Sequence, residues 1–257
     1  MKTTTSDIAK LEPLGHVEAM SLLAVELQQT LDLLGRLDDS DWAAQTDCPD
    51  WDVFHMYLHV LGACEASTSM RENIHQMRAA RSLRTKDGRP LEAGLSATQV
   101  KDRADLSPTE LVDRLDAIAD ETVRKRTRMP SLLRRMRMKI DGPVHETWNL
   151  GYLIDTIYLR DMWMHRVDAS RATGREPVLT ADHDGRLIED VVAEWARRHG
   201  EPFSLTLTGP AGGTYESSGV SGGSATAQQL ELDAVEFCLM LAGRLDGSGL
   251  LTTVVPF

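Results

Sequence analysis

The clearest chemical potential in this chain lies in Arg160-Asp-Met-Trp-Met-His165-Arg-Val-Asp168. In a helix, residues four apart share a face, so Asp161 and His165 converge on a common point. Carboxylate and imidazole are both good zinc ligands. The same spacing also yields a plain hydrogen-bonded Asp–His couple, so spacing alone leaves both readings open. A third ligand has to come from another helix. His59, in Phe54-His-Met-Tyr-Leu-His59-Val-Leu61, is the candidate, and His55, four residues before it, could chelate with it. Asp168 can serve as a partner of His165 or simply close the last turn of its helix. Other chemistries find less support. Nothing near Cys64 in the sequence lowers a thiol pKa. Ser217–Ser224 lacks a G-x-S-x-G elbow, and Gly209–Gly213 lacks the Gly-Lys-Ser/Thr of a phosphate loop.

These residues need helices to position them. Met20, Leu23, Ala24, Leu27, Leu31 and Leu34 repeat at three and four and predict a helix over roughly 14–37. A second runs from about 52 into the seventies, its apolar positions spread around the circumference, so it should be well buried. The polar stretch 84–106, with Gly and Pro, reads as a connection. Ser107-Pro108-Thr-Glu110 has the signature of a helix start and predicts a third helix over 108–127. After a turn at Asp141-Gly142-Pro143, a fourth runs over 144–171 and stops at Gly174. Four helices predict a four-helix bundle over residues 1–175.

The pattern changes beyond Gly174. Asp182–His199 is amphipathic. Phe203–Thr208, Thr214–Glu216, residues 225–232 and Leu250–Val255 read as strands, with Gly/Ser-rich turns at 209–213 and 217–224. Asp233 caps a helix running through Ala242. This predicts a small α+β domain over 178–257. The fold class is therefore mainly α, with an α+β C-terminal domain.

Composition supports a folded chain. It has 257 residues, 42% hydrophobic and 26% charged, which excludes disordered and collagenous classes. No apolar run approaches a membrane span, so no membrane partner is expected, and the N-terminus lacks an apolar signal core, so secretion is not expected. Cys48, Cys64 and Cys238 are odd in number and scattered, which points to a reducing cytoplasm. The net charge of −11 argues against nucleic acid as a partner. Yet residues 124–139 hold eight Lys/Arg and no acid. That run reads either as a solvated surface or as an anion site for a carboxylate substrate or acidic partner. Monomer and homodimer both remain open.

Two segments together resemble a known family. Thr46-Asp-Cys-Pro-Asp-Trp51-Asp-Val53, continuing to Leu58-His59-Val60, is similar to the CPGWTV…AHL signature of the mycothiol-dependent maleylpyruvate isomerase family. Arg160 to Asp168, with Arg171-Ala-Thr-Gly174, resembles that family's second motif. The ending fits too, with Leu241-Ala-Gly-Arg244 followed by Val255-Pro-Phe257. The resemblance implies a DinB-like metal-binding bundle followed by a small α/β domain. It implies a divalent metal, usually zinc, on His59, Asp161 and His165, with Asp161 standing where the family carries Glu. It also implies mycothiol as the thiol cosubstrate. In the family isomerase, a metal-activated thiolate adds to the cis double bond of maleylpyruvate, and rotation followed by elimination gives the trans product. Arg244 is the candidate contact for a substrate carboxylate; as a helix-end cation it also has a plain structural reading. The expected function is a metal- and mycothiol-dependent isomerase or S-transferase acting on a small electrophilic carboxylate. The alternatives are a metal-free or structural-metal binding module, or a thiol-independent metal hydrolase or lyase.

Overall fold

The computed structural model describes residues 5–141, 145–219 and 226–257. The expected turn at 141–143 and the Gly/Ser-rich turn at 217–224 fall partly outside the described residues. The chain separates into two compact units, Gly15–Pro177 and a second that joins Met1–Leu14 to Val178–Phe257. The first residues thus belong with the C-terminal unit rather than with the bundle. The reason is a short strand, β1 (Thr5–Asp7), that pairs in parallel near the far end of the chain, Thr5 opposite Thr214. Three residues carry too little alternation to be read as a strand from sequence.

The larger unit is helical. Helix α1 (His16–Leu34) is followed by a single turn, α2 (Asp39–Trp42), with a capping box at Asp38. Helix α3 (Val53–Thr68) starts at Asp52, whose side chain accepts the His55 backbone N–H at 2.8 Å. The expected continuation into the seventies is broken at Ser69, which ends α3 in an extended conformation and caps α4 (Met70–Asp87). The stretch 84–106 is not a connection. Arg84–Asp87 is the last turn of α4, and α5 (Leu91–Lys101) follows. Its glycine is a packing device: a Cβ on Gly94 would lie 3.0 Å from the Ala80 carbonyl oxygen, so the missing side chain lets α5 approach α4. Helix α6 (Pro108–Thr127) has its capping box at Ser107 and Glu110.

A further turn, α7 (Ser131–Arg134), leads to a hairpin, β2 (Arg137–Ile140) and β3 (Glu146–Asn149), where a helix start was expected. Thr147 and Trp148 favour extended backbone, and the Asn149 side chain then caps the next helix at Tyr152 N, 2.7 Å. That helix begins as α8 (Leu150–Tyr152), passes through a π-turn (Leu153–Ile157) and continues as α9 (Tyr158–Thr173). Gly174, with φ 66°, closes it in the left-handed conformation glycine adopts freely. Helices α1, α3, α6 and α9 form the bundle: α3 packs on α6, α5 and α9, and α1 packs on α6 and α9. Leu23, Leu27, Met56, Leu61, Leu115 and Trp163 are buried between them.

In the smaller unit, α10 (Arg186–His199) precedes β4 (Phe203–Thr208), β5 (Gly213–Ser217), β6 (Gln228–Asp233) and α11 (Ala234–Leu241). The sheet order is β1-β5-β4-β6, with only β4 and β5 antiparallel. Trp195 packs against Phe203 and Phe237 at centroid distances of 4.8 and 5.3 Å. The expected last strand, Leu250–Val255, is instead a 3-10 turn at Gly249–Thr252 and an irregular end. Leu251 and Val255 are buried while Val254 is exposed, so the apolar run does not alternate. The Leu250 carbonyl accepts from Trp195 Nε1, and Val255 N donates to Leu241 O, which satisfies the backbone without a ladder. No described helix is long and apolar enough to cross a membrane.

Candidate metal centre

Helices α3 and α9 bring His59, Asp161 and His165 together, with one ligand atom of each within 4.8 Å of the others. His165 Nε2 lies 3.3 Å from Asp161 Oδ1, and His59 Nε2 lies 3.7 Å from Asp161 Oδ2. The two imidazole rings stand at 90° with centroids 5.6 Å apart. Donors bound tetrahedrally to one zinc at ~2.0–2.1 Å are themselves ~3.3 Å apart. The observed separations are close to that. The shorter aspartate therefore still reaches both histidines.

The histidines are oriented from behind. His59 Nδ1 lies 2.7 Å from Gln99 Oε1. Gln99 Nε2 donates to Gln76 Oε1 at 2.8 Å, and Gln76 Nε2 donates to the Gly62 carbonyl at 2.9 Å. A carbonyl only accepts, so each amide in this relay is fixed in direction. His59 must donate from Nδ1, which leaves the Nε2 lone pair facing Asp161 when the ring is neutral. A lone pair facing a carboxylate is repulsive unless a proton or a cation sits between them. His165 Nδ1 lies 3.6 Å from the fully buried Asp168 carboxylate, and neither ring nitrogen of His165 has a hydrogen-bond partner. Orphaned buried nitrogens, a directed lone pair and a carboxylate form a donor set that fits a divalent cation.

Charge in the cluster is strongly coupled. Burial alone would raise the Asp161 carboxyl, but the facing His165 and His59 rings hold it well below the usual carboxylate range. Burial likewise works against a charged His165, yet Asp161 and Asp168 push its pKa up to about 9. Without a cation, a proton shared with Asp161 fills the same electrostatic role.

Trp51, from the loop before α3, stacks on His59 at 5.1 Å and meets His165 edge-on at 6.4 Å. Its neighbour Cys48 places Sγ 3.8 Å from Asp168 Oδ2, so Cys48, His165 and Asp168 form a second close cluster on the same histidine.

A family model described as the mycothiol maleylpyruvate isomerase N-terminal domain matches residues 23–170, the stretch that carries this cluster. The chain belongs to that family. Two solved structures share the fold of this family member over nearly its whole length. One is a crystal structure of the mycothiol-dependent maleylpyruvate isomerase: TM-score 0.56, 15% identity, covering 95% of this chain and 94% of that one. The other is a histidine-to-alanine mutant of such an isomerase: TM-score 0.55, 14% identity, covering 94% and 93%. No curated protein sequence matches the chain.

Within this family member, three other residues singled out from the sequence fall differently. His55 pairs with Asp52 at 2.6 Å, half-exposed, and does not join the cluster. Asp168 is buried beside His165 rather than merely ending a helix. Arg244 follows α11 in the other compact unit, its backbone N–H bonded to Leu239 O at 2.8 Å. Sequence reasoning missed Gln99 and Gln76, because the stretch containing Gln99 read as a connection. Cys48 and Trp51 carried a signal as part of the first motif, without a role attached to either.

Proposed function

We propose that this protein is a divalent-metal-dependent, mycothiol-dependent enzyme, an isomerase or S-transferase acting on a small electrophilic carboxylate. The observation that carries this reading is the convergence of His59, Asp161 and His165, with the His59 Nε2 lone pair aimed at the carboxylate. These three residues would hold the metal, zinc by the chemistry of the donors. A zinc ion with three protein ligands keeps a position open, where a thiol loses its proton and becomes a nucleophile at neutral pH. Gln99 holds the His59 tautomer, and Asp168 faces the far side of the His165 ring. Trp51 stacks on the His59 ring and so helps hold its orientation. The role of Arg244 as a carboxylate contact rests on the sequence alone.

The first experiment is metal analysis of untagged protein, wild type beside Asp161→Ala, followed by turnover of maleylpyruvate with and without mycothiol. One zinc per chain, lost in the variant, with thiol-dependent turnover is the expected result. Turnover unchanged in His165→Ala would sink the reading. A second reading, a metal-free binding module, draws on the Asp161–His165 pair, which is electrostatically complete with a proton alone. It would lead if wild type took up no metal on reconstitution. Hydrolysis or elimination by the zinc protein without thiol would instead mark a thiol-independent enzyme.

A further inference from the structure

We propose that Arg126 binds a carboxylate group of the substrate from inside the bundle, about one turn along α9 and two along α3 from the His59–Asp161–His165 cluster. The proposal rests on the reading of that cluster as the reaction centre.

Arg126 belongs to the basic run 124–139, and the run divides in the fold. Arg124 and Lys125 turn outward to Glu121, and Arg134 pairs with Asp155. Arg126 turns inward and is only 3% exposed. Its Nε and Nη2 donate to Ser67 Oγ at 3.2 and 3.1 Å. The Ser67 hydroxyl proton goes to the Ala63 carbonyl at 2.9 Å, so its oxygen is free to accept both. The guanidinium carbon lies 4.5 Å from the Tyr158 ring centroid. Nη1 is buried with no hydrogen-bond partner. No ion pair to Arg126 occurs among the described residues.

A buried guanidinium without a counter-charge is costly, and a hydroxyl and a ring face offset only part of that cost. The arrangement makes sense if an anion completes it. Tyr158 covers one face of the group and Ser67 occupies the Nε–Nη2 edge, so the Nη1 side is what remains for a ligand. A guanidinium fork matches a carboxylate in shape and charge.

The location ties this group to the cluster. Ser67 lies eight residues after His59 on α3, which is ~12 Å of helix rise. Tyr158 lies three residues before Asp161 on α9, which is ~4.5 Å. A carboxylate held there would sit several bonds from the carbon that accepts the thiol.

The test titrates the zinc-loaded full chain with maleate and with its uncharged dimethyl ester, by calorimetry without thiol. Wild type, Arg126→Met and Arg126→Lys are compared, with zinc content and Tm measured on each. Wild type should bind maleate and not the ester. Arg126→Met should weaken maleate at least ~10-fold, in the range expected for loss of a charge-assisted hydrogen bond. Its zinc content should be unchanged, and its ligand-free Tm equal or higher, because an unpaired buried charge is gone. Arg126→Lys should keep part of the affinity. Arg126→Gln serves as the neutral variant if Arg126→Met does not fold. Wild-type protein that ignores maleate, or a neutral variant that binds it as wild type does, overturns the proposal. So does a variant whose only change is a lower Tm. If wild type holds no zinc while maleate binding still depends on Arg126, the metal reading fails and the anion site stands.

Discussion

His59 gives its Nδ1 proton to Gln99 Oε1 at 2.7 Å, and Gln99 can accept it only because its own amide nitrogen is committed to Gln76. The tautomer of a candidate metal ligand is thus set by a relay that ends on a backbone carbonyl, at Gly62. Replacing Gln99 with Leu removes the acceptor and frees the imidazole to turn or to protonate at Nε2. Outer partners of this kind are typically worth ~10–100-fold in metal affinity. Competition titration with a chromophoric chelator should show a loss of that size in Gln99→Leu, with helical circular dichroism retained. An unchanged zinc affinity would mean the relay only packs α5 against α3.

The metal-free protein should lose stability as pH rises past neutrality. His165 has a folded pKa of about 9, above the ~6.5 of an unfolded histidine. A group shifted upward stabilises the fold fully below its unfolded pKa, and that contribution is lost as pH climbs through the folded value. Asp161, held low, contributes in the opposite sense, above the unfolded carboxylate pKa near ~4. Together they place the maximum of their contribution between ~4 and ~6.5. Thermal melts of chelator-treated protein should show Tm falling from pH 6.5 to 9.5, with a flatter profile in His165→Gln. Zinc should reverse the trend, since it competes with the same proton. A flat metal-free profile in wild type would show that His165 is not charged in the fold.

The sequence made the helices of the site legible and left their support hidden. Asp161 and His165 share a face through spacing alone, and α6 announces itself through Ser107, Pro108 and Glu110. His59 was a candidate by residue type, but no local pattern states that α3 faces α9 at that level. Gln99 was hidden for another reason. Its helix carries a glycine and follows a proline, both signs of a loop, yet Gly94 is there so that α5 can lie against Ala80. The strand β1 was invisible because its pairing is with Thr214–Glu216, far along the chain. Arg126 was one member of a basic run that read either as solvated surface or as an anion site, with nothing in the sequence to single it out. Only the burial of its face of α6 separates it from Arg124 and Lys125.

Gly62 should not tolerate even one added carbon. A Cβ there would lie 2.6 Å from Gln99 Cβ and Cγ, and 3.0 Å from Arg103 Nη1. In an exposed helix, Gly→Ala gains up to ~1 kcal/mol of propensity. Here the overlap would force α5 away from α3, at ~1–3 kcal/mol for such overpacking. Urea unfolding of Gly62→Ala should therefore show a net loss, accompanied by weaker zinc binding as Gln99 shifts. A stabilised variant would mean α5 yields easily and does not pin the relay.

The bundle is also cross-linked by charge, and a double-mutant cycle can expose how. Arg166 on α9 donates from Nε to Glu26 Oε1 at 2.6 Å and from Nη2 to Glu26 Oε2 at 2.9 Å, both residues buried. Removing one partner of such a pair strands the other charge in the core, typically at ~3–5 kcal/mol. Glu26→Leu and Arg166→Met should each lower stability by that order. The double variant should recover much of the loss, because two apolar side chains need no counter-charge. The pair fixes α1 against α9, the helix that carries Asp161 and His165. Each single variant should therefore weaken zinc binding more than the double variant does. Additive losses in stability would show that Glu26 and Arg166 act through separate partners instead.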